Sequence, residues 1–192
     1  MLRVGPQAHR DHTEVRPQHV PTLDDGVRTL LASRDIGVEA GHRGLEPGSH
    51  PGVPDLLAQP GCWTKQKPSR SEKKDIELGW KMAKEIGRLD IGQCVVVGGG
   101  SVLAVEAIDG TDATIMRGGK LGRGDAVVVK VCKPNQDIRF DIPAVGAETI
   151  KTMEEAGAKV LVVEAGKAIV FDRQEMINLA DEFGITIVAM ET

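Results

Sequence analysis

The chain has no tyrosine, only three phenylalanines and only two tryptophans in 192 residues, which excludes the stacked aromatic platforms that hold single-stranded nucleic acid. It also lacks a basic excess. Its 24 Lys and Arg stand against 28 Asp and Glu, a net charge of -4, and no run of them is dense enough to grip a phosphate backbone or an anionic lipid face. A nucleic-acid partner is not expected. No stretch approaches the roughly 18 consecutive apolar residues of a membrane span, and the opening MLRVGPQAHRDHTEVRPQ has no apolar secretory core. The reading is a soluble, cytoplasmic protein. Cys62, Cys94 and Cys132 are far apart and form no C-x-x-C pair, so they read as reduced thiols. Histidine is missing after His50, which removes Ser-His-Asp chemistry and an imidazole base from most of the chain.

What is present falls into two unlike parts. All five histidines and seven of the ten prolines lie in the first 60 residues, with little periodicity beyond one candidate helix, TLDDGVRTLLASRDI, starting at Thr22. The histidines lack chelating spacing, so an incidental His-rich segment is favoured over a metal site. From about Ser69 the pattern becomes α/β. SRSEKKDIELGWKMAKEIGRL opens with a Ser-x-x-Lys start and sets Ile76, Trp80, Met82, Ala83 and Ile86 near one face, predicting a helix that ends near Gly87. QCVVVGGGSVLAVEAI reads as a hairpin turning on glycines. GTDATIMRGGK predicts a short helix capped by Thr111, with Asp112 in its first turn and a break at Gly118 and Gly119. DAVVVKVCK, almost wholly apolar, predicts a central strand. Then follow the helix GAETIKTMEEAG, the strands KVLVVEAG and KAIVFD, the helix RQEMINLADEFG closing on Gly184, and the strand ITIVAM. The expected architecture is a compact mixed-sheet α/β domain over residues 72–192, preceded by a linker at 54–71 and a poorly ordered segment at 1–53.

Charge collects where strands end. In RLDIGQ, Asp90 and Gln93 read as turn residues. In VEAIDGTDA, Glu106 reads as part of either a solvated strand face or a site with Asp109 and Asp112. The densest cluster is KPNQDIRFDIP. If extended, it puts Ile138, Phe140 and Ile142 on one face and the row Asp137, Arg139, Asp141 on the other. That row suits either a charged sheet edge or a site, and Lys130, Lys133, Glu106 and Asp112 tilt the reading to a site. Hard oxygen ligands for Mg²⁺ beside phosphate-binding cations are the composition of a metal-assisted phosphoryl site. VVVGGGS lacks both phosphate-loop spacings and is a hairpin turn.

With DIGQ, DGTDA and KPxQDxRFDxP in this order, the chain from about Pro54 to its end resembles the C-terminal domain of the bacterial UDP-2,3-diacylglucosamine pyrophosphatases of lipid A synthesis, the type unlike metallophosphoesterases in fold. The resemblance implies Mg²⁺-assisted hydrolysis of a lipid-linked UDP-sugar to UMP and 2,3-diacylglucosamine 1-phosphate, by a homodimeric two-domain enzyme touching the inner membrane peripherally. It implies Asp137 as the essential carboxylate and Asp112 as the second. Lys130, Lys133, Gln136, Arg139 and Thr111 become substrate contacts, and Asp137, Asp112, Glu106 and Asp141 metal ligands. The front of the chain departs from the family, whose members begin with a Gly-rich nucleotide-binding domain. A truncated or frame-shifted start is the expectation. Two alternatives stay open: a catalytically impaired remnant that binds phosphorylated ligands or dimerises, and a hydrolase of other nucleotide sugars.

Overall fold

The computed structural model describes residues 56–134 and 143–191. A mixed six-stranded sheet lies between one helix on one face and three on the other. Its strands are β1 (Gly61–Cys62), β2 (Cys94–Gly98), β3 (Ser101–Val105), β4 (Ala126–Lys130), β6 (Ala158–Glu164) and β8 (Thr186–Met190), in the spatial order β1-β8-β6-β4-β2-β3. β4, β6 and β8 run parallel, β2 is antiparallel to both β3 and β4, and β1 is antiparallel to β8. Parallel neighbours require crossovers. Here α3 (Ala147–Ala156) joins β4 to β6, and α4 (Arg173–Phe183) joins β6 to β8. β5 (Ala144–Val145) and β7 (Ile169–Val170) pair as a separate two-stranded parallel sheet, so the run KAIVFD yields only a short strand outside the main sheet.

The alternation of a strand sorts its side chains between the two layers. Val95, Val97, Val127, Val129, Val160 and Val162 pack on α1 (Arg70–Arg88), while Cys94, Val96, Val128, Leu161 and Val163 face the other helices. β4 is central, as its apolar run predicts, because both faces are covered. α1 starts at Ser69, whose hydroxyl accepts from the Glu72 amide while the Glu72 carboxylate accepts from the Ser69 amide. The capping signal is thus Ser69-x-x-Glu72 rather than the expected Ser-x-x-Lys. Its buried line is Asp75, Ile76, Gly79, Ala83 and Gly87, with Trp80, Met82 and Ile86 half-buried beside it. A Cβ at Gly79 would come within 2.6 Å of a Val129 methyl, so the small residue sets how closely the helix lies on the sheet.

The helix α2 (Gly110–Gly122) does not break at Gly118 and Gly119. Glycine inside a helix costs about 1 kcal/mol relative to alanine, which is why a break was expected. Both positions are buried, and a Cβ would meet Val96 at 2.4 Å in one case and the Ala156 carbonyl at 2.6 Å in the other. The pair is the contact surface of α2 on the sheet and on α3. The stretch expected as a linker contributes β1, and its buried Thr64 accepts from the Ile187 amide. α3 buries Ile150 and Met153 as expected, and α4 ends on Gly184 in the left-handed region. The candidate helix at Thr22 lies outside the described residues.

Candidate active site

In open α/β sheets, ligands bind beyond the carboxyl ends of the parallel strands. Here that edge carries the ends of β4 and β6, the start of antiparallel β2, the last turn of α1, and the first turns of α2, α3 and α4. Helix N-termini favour anions, so three of them at one edge bias it toward phosphate. KPNQDIRFDIP leaves from this edge after β4 and returns into β5. Its Gln136, Asp137, Arg139 and Asp141, and the alternation expected for them, lie outside the described residues. Both ends of the excursion are fixed at the sheet. Lys130, half-buried, donates to the Ala144 carbonyl at 3.0 Å, tying the start to the return. Lys133 donates to Asp90 at 2.9 Å. Asp90, read as a plain turn residue, does sit in a turn with φ 55°, and it also pairs with this lysine.

Glu106 stands on neither a solvated face nor a strand. It follows β3, is buried, and accepts from the Gln93 amide at 3.0 Å and the Thr111 hydroxyl at 2.8 Å. The reason is the hairpin, which returns the chain beside the loop before β2, where those donors wait. Thr111 therefore orients Glu106 and does not cap the helix; Asp109 holds the cap position. The Arg117 guanidinium bonds the Asp109 carboxylate and holds its pKa below the usual range, with help from the Ala107 amide. Arg117 also donates to the Val105 carbonyl at 2.9 Å, which closes the β3–α2 turn. Asp112 is exposed in the first turn of α2.

Glu106, Lys130 and Asp112 converge electrostatically on Cys94. Burial pushes its thiol up from 9.0 to about 12, Glu106 and Asp112 push the same way, and Lys130 opposes them. All three thus lie within electrostatic reach of one thiol at the start of β2. Among the described residues, no three His, Cys, Asp or Glu side chains gather into a metal-binding group.

A second charged cluster at this edge was missed. Glu164, the last residue of β6, is fully buried, and its Oε1 pairs with Lys84 at 2.5 Å and Lys167 at 2.8 Å. Its Oε2 accepts from the Cys132 amide at 2.9 Å. The signal was a carboxylate ending the otherwise apolar VLVVE. Lys84 lies 5.2 Å from the ring centre of Trp80, one helical turn back. Beside the returning chain, a cleft of about 440 Å³ opens between the first turns of α3 and α4, walled by Gly146, Thr149, Phe171 and Asp172. Leu89, Ile91 and Ile108 stand exposed around the same edge.

Residues 59–188 match the family described as the LpxI C-terminal domain. A relative from Caulobacter vibrioides, named UDP-2,3-diacylglucosamine pyrophosphatase LpxI, is 38% identical over 152 residues, covering 75% of this chain and 54% of that relative. The chain spans about half the length of the curated relative it matches.

Proposed function

This chain belongs to the LpxI C-terminal domain family, and from that premise we propose that it hydrolyses the pyrophosphate bond of UDP-2,3-diacylglucosamine, releasing UMP and 2,3-diacylglucosamine 1-phosphate. One bridging P–O bond breaks, and water supplies the oxygen that replaces it. The observation that carries this reading is a family match running from β1 into β8, across both anchored ends of the KPNQDIRFDIP segment.

Mg²⁺ fits the chemistry of the donors. Mg²⁺ is commonly held by one or two carboxylates together with substrate phosphates, and Asp112 offers an exposed carboxylate in the first turn of α2. Asp112 and Asp137 would hold it, with Glu106 and Asp141 beside them. Bound there, Mg²⁺ supplies charge neutralisation at the pyrophosphate oxygens. The chain's own work is positioning. Lys130, Lys133 and Arg139 are assigned to the negative charge that grows on the departing phosphate, Gln136 and Thr111 to the substrate, and Asp137 to the metal or the attacking water. Glu106 serves by holding Gln93 and Thr111 in place through the bonds described above.

The substrate is a lipid, and none of the described helices is long and apolar enough to cross a membrane. Peripheral contact at the inner membrane from the cytoplasmic side suits this, with Leu89, Ile91 and Ile108 as its apolar points, and a homodimer belongs to the same reading. The test is UMP release from the acylated substrate by the purified full chain, with and without Mg²⁺. Asp137→Ala is expected to lower the rate at least about 100-fold while the variant remains folded. An unchanged rate removes Asp137 from the chemistry, and equal rates on unacylated UDP-sugars remove the lipid from the specificity.

A further inference from the structure

Glu164, Lys84 and Lys167 bring two positive charges against one negative among themselves. Two ammonium groups share a single carboxylate oxygen. The carboxylate is fully buried, whereas the lysine side chains retain 25% and 49% of their exposure, so the surplus positive charge is turned outward. The cluster stands at the carboxyl edge of the sheet, beside the end of β4. Replacing a buried ion cluster with apolar side chains is often neutral or stabilising, so stability alone gives little reason for it. Its geometry is nonetheless held by three segments of the chain. β6 supplies Glu164, α1 supplies Lys84 with the Trp80 ring beside it, and the turn after β6 supplies Lys167. The hydrogen bond that Lys167 donates to Glu164 raises the Lys167 pKa. The other Glu164 oxygen holds the Cys132 amide, the residue directly before Lys133.

We propose that Lys84 and Lys167 are ligands for the diphosphate of the substrate and that Glu164 is the positioning residue that aims them. Ammonium groups bind phosphate oxygens through charge-assisted hydrogen bonds, and an ammonium bonded to one carboxylate still has donors to spare. Glu164 thereby couples two binding cations to the origin of the segment that bears Asp137. This assignment rests on the hydrolase reading for the identity of the substrate, and the anion site itself can be tested without turnover.

The experiment is calorimetric titration of the full chain with inorganic pyrophosphate, alongside Lys84→Gln, Lys167→Gln, both Arg replacements, and Lys120→Gln in the last turn of α2 at the opposite edge. Each Gln variant of the pair should weaken binding about 10-fold, the loss of one charge-assisted hydrogen bond. Arg should restore it to within about 3-fold, and Lys120→Gln should leave it unchanged. Circular dichroism reports folding, and if Lys84→Gln does not fold, Lys167→Gln decides alone. The proposal falls if the wild type does not bind pyrophosphate, if the folded Gln variants bind like wild type, or if Lys120→Gln weakens binding equally. Lysine-dependent binding without UMP release keeps the anion site and overturns the hydrolase reading. UMP release with lysine-independent binding does the reverse.

Discussion

Asp75 and Glu164 are both buried carboxylates beside the α1 layer, and they are satisfied in opposite ways at opposite edges of the sheet. Asp75, near the start of α1, accepts from the amides of Gly99 and Gly100 at 3.0 and 2.7 Å, in the left-handed turn of the β2–β3 hairpin. Glu164 takes one amide and two flexible cations. A carboxylate saturated by amides of a tight turn pins the backbone and has little left to offer a ligand. One saturated partly by lysines that reach solvent keeps donors that a phosphate can use. The first edge is construction, and the second is where the chemistry is proposed.

The comparison breaks most visibly at Glu164. Glu164→Ala should strand the buried Cys132 amide and release both lysines, costing about 2–3 kcal/mol in urea denaturation. It should also weaken pyrophosphate binding. Loss of stability with intact binding would reduce the cluster to scaffolding. Asp75→Ala is the mirror experiment. Its turn amides are exposed and can turn to water, so the expected cost is about 1–2 kcal/mol. UMP release per folded molecule should not change, and a selective loss of rate would place function at the wrong edge.

An effect confined to alkaline pH concerns Cys94, whose folded thiol is raised from 9.0 to about 12. Below pH 9 the folded and unfolded chains both keep this proton, and its contribution to stability is complete. Between pH 9 and about 12 the unfolded chain loses the proton first, so stability falls with rising pH, by at most about 1.4 kcal/mol per unit. Cys94→Ala should therefore show a shallower alkaline decline in calorimetry. Equal slopes would show that burial and the nearby Glu106 do not hold the thiol neutral.

Much of the fold was legible. Helical periodicity located α1, turn glycines located the hairpin, and an unbroken apolar run identified β4 as central, since each signal is carried by residues close together in the chain. The proposed site was legible in composition and only in part in arrangement. Glu106, Lys130 and Asp112 were selected as charges near strand ends, and they do converge on Cys94. For Glu106 the sequence leaves a solvated strand face and a site both open, because its burial depends on Gln93 and Thr111 meeting across the hairpin. Glu164 was passed over inside VLVVE, because a terminal charge on a buried strand has no meaning until its neighbours are known.

By itself the sequence determined the α/β class, the kinds and order of the main elements, and the family, all of which follow from local spacing and motif order. Only the tertiary structure decided that Gly118 and Gly119 continue a helix, since the reason is the space left by Val96 and Ala156. It alone joined Lys84 to Glu164 across 80 residues of chain. Ion pairs and close contacts depend on which strands and helices become neighbours, and that is settled by packing rather than by any short stretch of sequence.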